Sequence, residues 1–280
     1  MKLLKAIWSL TRLEHGLIYG LGVVAGVFIT LEYLDIRLSV FGFLTALFLQ
    51  ASAFALNDYF DYEVDVANRR FDRPIVRGDI SRRDALIISI ILAIPGFLFA
   101  YAVSLLALIL AVAITFLGYA YDIKLKEYGI AGNVYIAFSM AAPFIFGSVV
   151  AGTLNTQIAI LSAIAFLSGL AREIMKGIED VEGDAIRNVR TVARVYGVRT
   201  AEKASAYIYM VSIVLSFLVV AIPEYMDVKY LIPVLICDYI LAKTARSLFY
   251  GAERSEIGKM RKRTMIALLF GLIAFILGSV

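Results

Sequence analysis

The sequence predicts an all-α, polytopic membrane protein with about nine transmembrane helices. Of its 280 residues, 61% are hydrophobic and only 18% are charged, whereas soluble domains carry about 25% charged residues. A helix needs about 20 predominantly apolar residues to cross a bilayer, and nine segments approach or exceed that length. They lie near residues 13–33, 40–60, 85–104, 105–121, 132–152, 157–175, 204–222, 230–249 and 264–280.

The chain organisation is that of one domain. No linker or low-complexity stretch interrupts it, which predicts a single membrane-embedded domain over residues 1–280. The break around Ser104 is the shortest connection, so an alternative with eight helices and one re-entrant hairpin stays open. Asp58 and Asp180 lie four predicted helices apart, and each precedes an arginine-rich stretch. Internal duplication of a four-helix unit would explain that spacing.

The positive charges of the chain fall almost entirely on one side of the predicted helices. Of the 27 lysines and arginines, all but Arg37 and Lys229 lie at the amino terminus, in the connections after the even-numbered spans or in the adjoining ends of those spans. Positively charged loops remain in the cytoplasm. We therefore expect a multi-pass protein of the cell membrane, with its amino terminus and active-site loops cytoplasmic. The net charge of +4 is explained by these positive loops and does not indicate a nucleic-acid partner.

Three aspartates at the end of the second predicted span form a first acidic cluster. Asp58, Asp61 and Asp65 are spaced i, i+3 and i+7, which places them within roughly 60° of arc on a helix. Carboxylates brought so close together repel one another unless a multivalent cation lies between them. Magnesium is the predicted cation, because Mg²⁺ is held by one or two carboxylates together with substrate phosphate oxygens.

A second acidic cluster follows the sixth predicted span at the same membrane face. Glu173, Asp180 and Asp184 are predicted to share one helical stripe, with Lys176 beside it. A solvated rim of acids paired with arginines would explain one such cluster, but two clusters favour a bound metal–diphosphate. The two clusters are expected to face one cavity. The residues predicted to bind metal and to be catalytic are Asp58, Asp61, Asp65, Asp180 and Asp184.

Basic residues beside both clusters are predicted to complete a diphosphate site. Guanidinium groups match phosphate oxygens with two parallel hydrogen bonds, and lysine adds a mobile point charge. The predicted substrate-binding cations are Arg69, Arg73, Lys124, Lys126, Arg172 and Lys176.

Residues 57–65, Asn-Asp-Tyr-Phe-Asp-Tyr-Glu-Val-Asp, match the motif N-D-x-x-D-x-x-x-D of the UbiA superfamily of intramembrane prenyltransferases. The chain resembles that family from about Arg12 to Thr200. The resemblance implies nine helices around a central cavity with cytoplasmic cap loops, a polyprenyl diphosphate donor and magnesium. It adds Asn57, Tyr121 and Glu173 to the predicted substrate-binding residues.

Within the superfamily, residues 172–184 are most similar to the archaeal digeranylgeranylglyceryl phosphate synthases, and residues 121–126 resemble their segment after helix 4. That resemblance implies transfer of a geranylgeranyl group to the hydroxyl of geranylgeranylglyceryl phosphate, in ether-lipid synthesis. A Tyr-x-x-x-Lys motif is common in the family. Here Tyr121 stands three residues before Lys124 and five before Lys126. Which lysine contacts phosphate therefore stays open.

Two other functions remain at this point. A prenyltransferase with an aromatic acceptor would make a quinone or chlorin precursor. A secondary transporter would also place acids in a helix bundle, although its binding groups lie near the membrane midplane.

Tyr59, Tyr62 and Tyr121 are candidates to stabilise an allylic cation, with simple packing the stronger alternative. Asp238, inside the eighth span, could shape the acceptor site, but the favoured expectation is that it pairs with another bundle residue such as an arginine, lysine or tyrosine.

Overall fold

The computed structural model describes residues 2–182 and 189–280, and in those ranges it contains helices but no strand. The short turns of 3₁₀ helix are Leu125–Tyr128, Val219–Ala221 and Pro223–Tyr225. The α-helices are α1 Lys2–Thr11, α2 Leu13–Leu31, α3 Ile36–Ala67, α4 Pro74–Arg77, α5 Arg82–Val103, α6 Leu105–Ile123, α7 Ile130–Val150, α8 Thr156–Glu179, α9 Val192–Tyr196, α10 Val198–Leu218, α11 Val228–Tyr250 and α12 Arg254–Gly278.

Nine helices of at least 19 residues in the described part of the chain coincide with the nine predicted spans. Seven of them, α2, α3, α5, α6, α7, α8 and α10, are long and apolar enough to cross a membrane. Helices α11 and α12 have 23 and 25 residues and are not among these seven. The prediction of an all-α, polytopic membrane protein is confirmed.

The predicted break at Ser104 separates two complete helices. Ser104 has extended backbone angles, and its hydroxyl accepts a hydrogen bond from the Ala107 N–H at 3.0 Å. A serine in this position satisfies one of the amide donors that a helix leaves free at its start. A single residue therefore ends α5 and begins α6, as the nine-helix prediction requires.

Helix α3 is longer than predicted and carries the whole first acidic motif. The second span was expected to end near residue 60, but the helix continues to Ala67. Its 32 residues extend about 48 Å at 1.5 Å per residue, whereas the hydrocarbon core of a bilayer is about 30 Å thick. The motif thus lies on the last three turns of a helix that reaches past the hydrocarbon.

The chain divides into two compact units. The first contains the residues up to Lys124 together with Pro143–Thr153, and the second contains Leu125–Ala142 and Leu154–Val280. Helix α7 contributes its carboxyl-terminal turns to the first unit and the rest to the second. A single domain with a duplicated four-helix unit, and one cavity shared by both acidic clusters, stay predictions.

In the first unit, α2 and α7 meet through glycines. A Cβ atom on Gly26 would lie 2.7 Å from the Phe144 carbonyl oxygen, and one on Gly147 would overlap the Val23 carbonyl oxygen. Close to this contact the Thr30 hydroxyl donates to the Ser148 hydroxyl at 3.0 Å. Membrane helices that approach this closely use small residues and polar contacts in place of a hydrophobic driving force.

The core of the second unit is built by α8, α10, α11 and α12 around Met175, Leu241 and Ile257. Asp238 of α11 is buried beside it and accepts a hydrogen bond from the Ser216 hydroxyl of α10 at 2.7 Å. Asp238 thus pairs with another residue of the bundle, and this residue is a serine and not one of the three types given as examples. The contact links α10 to α11.

Replacing Gly147 by alanine should destabilise the protein, because the added methyl group would collide with backbone that cannot rotate away. Overpacking of this kind costs about 1–3 kcal/mol. The control is Gly271→Ala in α12, where the nearest atom to a new Cβ is the Cys237 sulfur at an ordinary 3.4 Å. Thermal unfolding in detergent measures both variants. Equal melting temperatures for the two would contradict the close packing of α2 on α7.

Candidate active site

Asp58 is a buried carboxylate held by two arginines. Its side chain is 1% exposed; the Arg12 guanidinium lies 2.6 Å from Oδ1, and that of Arg73 lies 3.5 Å from the same oxygen. Its second oxygen, Oδ2, is buried without a hydrogen-bond partner. An anionic oxygen in that position strongly favours a cationic ligand, because an unpaired buried charge is costly.

Arg73 joins two acids of the first cluster. Its Nε lies 3.6 Å from Oδ2 of Asp65, and its Nη1 contacts Asp58. Asp58 and Asp65, seven residues apart, therefore lie on the same face of α3, as their spacing predicts. Asp61 lies between them in sequence on the same helix and is half-buried. The structure thus brings the predicted residue Arg73 directly to the predicted acids.

Arg12 is a site residue that the sequence analysis missed. It forms the one-residue break between α1 and α2, with a left-handed backbone at φ 42° and ψ 55°. That conformation costs a residue other than glycine roughly 1–2 kcal/mol, so tertiary contacts must hold it. The guanidinium lies 4.4 Å from the centre of the Phe54 ring and donates to Asp58. Burial lowers the pKa of Arg12, and the Asp58 carboxylate opposes that shift.

Asn57 and Asp122 connect α3 to α6. The Asn57 amide donates to the Asp122 carboxylate at 2.8 Å, and Asp122 is buried. Asn57 was predicted to bind substrate; here it also fixes the end of α6. Next to this contact Tyr121 is half-buried, and Lys124 is exposed where α6 ends. Asp122 was not predicted, although it stands in the segment that carries the family resemblance.

Most arginines after α3 stabilise their own loop. Arg70 makes two hydrogen bonds of 2.8 Å to Asp72, which hold the pKa of the Asp72 carboxyl well below its usual range. Arg77 donates to Asp79 and to two backbone carbonyls. Arg69 is exposed, and its side chain forms no ion pair with the other described residues. Of the two arginines predicted here, only Arg73 reaches the acids.

Tyr59 and Tyr62 pack against Arg82 of α5. The guanidinium lies 4.7 Å from the Tyr59 ring centre and 5.6 Å from the Tyr62 ring centre, and it also donates to Glu63. Both rings thus pack against a cation of the protein itself, and a role in stabilising an allylic cation stays a prediction.

The second cluster contains a buried acid between two cations. Glu173 of α8 is buried; the Arg172 guanidinium lies 3.4 Å from one oxygen and the Lys176 ammonium 3.7 Å from the other. All three residues were predicted to bind substrate, and the structure places them together. Arg172 also contacts the Met265 sulfur of α12 at 3.4 Å. Lys176 is exposed, so its charge can reach a ligand.

Asp180 differs from its acidic neighbours. Glu179 pairs with Arg261 at 2.6 Å and Glu182 pairs with Arg254 at 2.7 Å, whereas exposed Asp180 has no ion pair with any residue that the structure describes. Helix α8 ends at Glu179, so Asp180 caps the helix and does not continue its stripe. Asp184 lies outside the described residues.

The acids fit a magnesium ion that is completed by substrate oxygens. Within residues 2–182 and 189–280, no group of three or more His, Cys, Asp or Glu side chains is arranged to hold a metal by itself. Magnesium does not require one, since it is usually bound through one or two carboxylates plus phosphate oxygens and water. The buried, unpartnered Oδ2 of Asp58 is the oxygen best suited to such an ion.

The turn that carries Lys126 packs against the chain beyond the second cluster. Gly129 has φ 52°, and a Cβ atom there would overlap the Arg190 carbonyl. Lys126 is half-buried in the 3₁₀ turn just before this glycine. Thr191, which follows Arg190, in turn lies against Gly177 of α8. These contacts fix the turn relative to the end of α8.

Comparison with known proteins identifies the family. The model of the UbiA prenyltransferase family matches residues 19–269. The chain belongs to the UbiA prenyltransferase family. The predictions of this family and of an intramembrane prenyltransferase are therefore confirmed, and the transporter alternative is excluded. As a UbiA prenyltransferase, it is a multi-pass membrane enzyme.

Individual relatives of this UbiA prenyltransferase agree with one another. A digeranylgeranylglyceryl phosphate synthase of Archaeoglobus fulgidus is 51% identical over 280 residues, covering 99% of this chain and 96% of the relative. One from Thermococcus sibiricus is 33% identical, covering 99% and 98%. A solved structure described as giving insights into digeranylgeranylglyceryl phosphate synthase in membranes has a TM-score of 0.88 at 30% identity, covering 100% and 99%.

A more distant structure shares the fold alone. It is a UbiA homolog from Archaeoglobus fulgidus bound to DMAPP and Mg²⁺, with a TM-score of 0.69 at 18% identity and coverage of 96% of this chain and 99% of that one.

The contact between Arg12 and Asp58 should contribute strongly to stability, since one partner is fully buried. A double-mutant cycle with Arg12→Gln and Asp58→Asn should give a coupling energy of about 2 kcal/mol. The matched cycle uses Arg70→Gln and Asp72→Asn, a solvent-exposed pair expected to couple by less than about 1 kcal/mol. Unfolding in detergent provides both values. A smaller coupling for the buried pair would show that the contact is not maintained.

Proposed function

We propose that this protein transfers a geranylgeranyl group from geranylgeranyl diphosphate to the free hydroxyl of geranylgeranylglyceryl phosphate. The products are digeranylgeranylglyceryl phosphate and diphosphate, as in archaeal ether-lipid synthesis. The observation that supports this proposal most directly is the 51% identity, over nearly the full length of both chains, to a relative named digeranylgeranylglyceryl phosphate synthase. In the reaction the hydroxyl oxygen bonds to carbon 1 of the donor and the carbon–oxygen bond to diphosphate breaks. The departing diphosphate or a carboxylate takes the hydroxyl proton.

The aspartates are the proposed magnesium ligands of each unit. In the first unit Asp58, Asp61 and Asp65 would hold Mg²⁺, and in the second unit Asp180 and Asp184 would do so. When bound, such an ion would supply Lewis-acid stabilisation of the negative charge on the diphosphate. Two observations support this assignment: the unpartnered oxygen of buried Asp58, and an exposed Asp180 that forms no ion pair within residues 2–182 and 189–280.

The protein's cations would bind the two phosphate-bearing substrates. Arg73 already lies among the acids, where it can donate to diphosphate oxygens, and Arg69 is exposed in the same loop. Arg172 and Lys176 flank buried Glu173, which orients both of them. Because the acceptor carries its own phosphate, it needs cations of its own. Asn57, Tyr121, Lys124 and Lys126 complete the proposed substrate-binding set.

The orientation in the membrane is part of the same proposal. The residues assigned to the donor and acceptor sites lie at the amino terminus or at the ends and connections of helices where the positive charge is concentrated. We propose that this side is cytoplasmic. The enzyme would thus take both substrates from the cytoplasmic leaflet of the cell membrane and return its product there.

An acceptor panel tests the proposal with purified protein, magnesium and radiolabelled geranylgeranyl diphosphate. We expect diphosphate release and a labelled lipid product with geranylgeranylglyceryl phosphate, and at least about 100-fold less product with the dephosphorylated lipid or an aromatic acid, because cations placed for a phosphate would lack their partner. Omitting magnesium should abolish turnover. Faster transfer to an aromatic ring, or undiminished turnover in a chelator, would overturn the assignment.

A further inference from the structure

Helix α1 presents apolar side chains in two directions. Ala6 and Leu10 are buried against the protein, whereas Leu4 is 73% exposed and Trp8 is 50% exposed. Leu4 and Trp8 stand one turn apart and form one exposed stripe. Lys5 lies next to the stripe, towards the polar side of the helix. A short helix with this pattern has one face for protein, one for an apolar medium and one for water.

The buried face of α1 supports the surroundings of Asp58. Ala6 and Leu10 belong to one hydrophobic cluster with Ala55 of α3, three residues before Asp58, and with Ile75 of α4. Arg73 caps the start of α4, and Arg12 follows the last residue of α1. Helix α1 is therefore linked to both cations that contact Asp58. It packs against α4, which Arg73 precedes, and it ends directly before Arg12. A displacement of α1 would move Arg12 directly and loosen the support of α4.

A second exposed apolar surface follows the stripe directly along the chain. Helix α2 begins one residue after Arg12, and its outer side exposes Leu17, Ile18 and Leu21. In a multi-pass membrane protein such a surface is covered by acyl chains. Tryptophan prefers the interface between acyl chains and headgroups, and amphipathic helices with lysines at their polar edge lie in that plane.

We propose that α1 lies in the membrane interface, with Leu4 and Trp8 inserted among the lipids, and that this contact positions Arg12 and α4 around Asp58. Lipid packing then acts on the reaction centre through a helix that itself contains none of the assigned acids. The proposal concerns the membrane surface and holds whichever acceptor the enzyme uses, so it can fail independently of the proposed function.

Trp8 is the single tryptophan of the chain, which makes its fluorescence a direct probe. The full-length protein is placed in phosphatidylcholine nanodiscs whose acyl chains carry bromine either near the headgroup or near the chain end. We expect strong quenching by bromine near the headgroup, weaker quenching by bromine near the chain end, and little quenching by aqueous acrylamide. Full acrylamide access without bromine quenching would overturn the proposal. The proposal would also be overturned if neither acrylamide nor bromine quenched Trp8 and this protection required two protein molecules per disc, because Trp8 would then contact a second copy.

Two glutamine variants at neighbouring positions test the consequence for function. Leu4→Gln removes an apolar side chain from the stripe, and Lys5→Gln changes the adjacent, polar-edge residue. For Leu4→Gln we expect bromine quenching of Trp8 to fall and the ratio of inserted to released helix to drop by about tenfold, with reduced turnover. Lys5→Gln should match the wild type in these uncharged lipids. Reduced turnover in Leu4→Gln with unchanged quenching would refute the link to lipid.

Discussion

A carboxylate buried at the end of a membrane-spanning helix must be given a countercharge, and this requirement organises the first unit. Asp58 is almost completely enclosed, and its two cations arrive from opposite directions along the chain. Arg12 comes from the break between α1 and α2, and Arg73 comes from the loop before α4. Each depends on a local structure that the surrounding contacts enforce, namely a left-handed backbone at Arg12 and a loop held together by Arg70 and Arg77.

The need for a countercharge also distinguishes charged residues that stabilise the fold from those that can bind a ligand, in each of the two units. Arg70, Arg77 and Arg82 are engaged by acids, carbonyls or aromatic rings of their own neighbourhood. In the second unit Glu179 and Glu182 are likewise paired with arginines of the α12 segment. Among the described residues, the second oxygen of Asp58 and the exposed carboxylate of Asp180 are not engaged in this way. Chemistry of the metal–diphosphate type needs such available anionic oxygens.

Hydropathy predicted the helices, because every backbone polar group in lipid must be hydrogen-bonded within a helix or barrel. The spacing of the acids predicted that Asp58 and Asp65 share one face of α3. Hydropathy and spacing could not predict where α3 ends, since its last turns mix acidic residues with Phe60, Val64 and Val66 and carry no continuous apolar run before Asn68. Arg12 was missed because Thr-Arg-Leu contains no glycine or proline to announce a helix break. Asp122 and Ser216 gained their roles from partners on other helices, and such pairing is tertiary information.

Asp58 is proposed to bind the magnesium ion that holds the diphosphate, and ligand-induced stabilisation tests this role without requiring turnover. Wild-type protein, Asp58→Asn and Glu63→Gln are melted with Mg²⁺, with an unreactive thio analogue of geranylgeranyl diphosphate, and with both. Glu63 is the control because it lies on the same helix but is exposed and paired with Arg82. We expect both ligands together, near saturation, to raise the melting temperature of the wild type and Glu63→Gln by about 5–10 °C, and to leave Asp58→Asn unchanged. An equal rise in Asp58→Asn would contradict the claim.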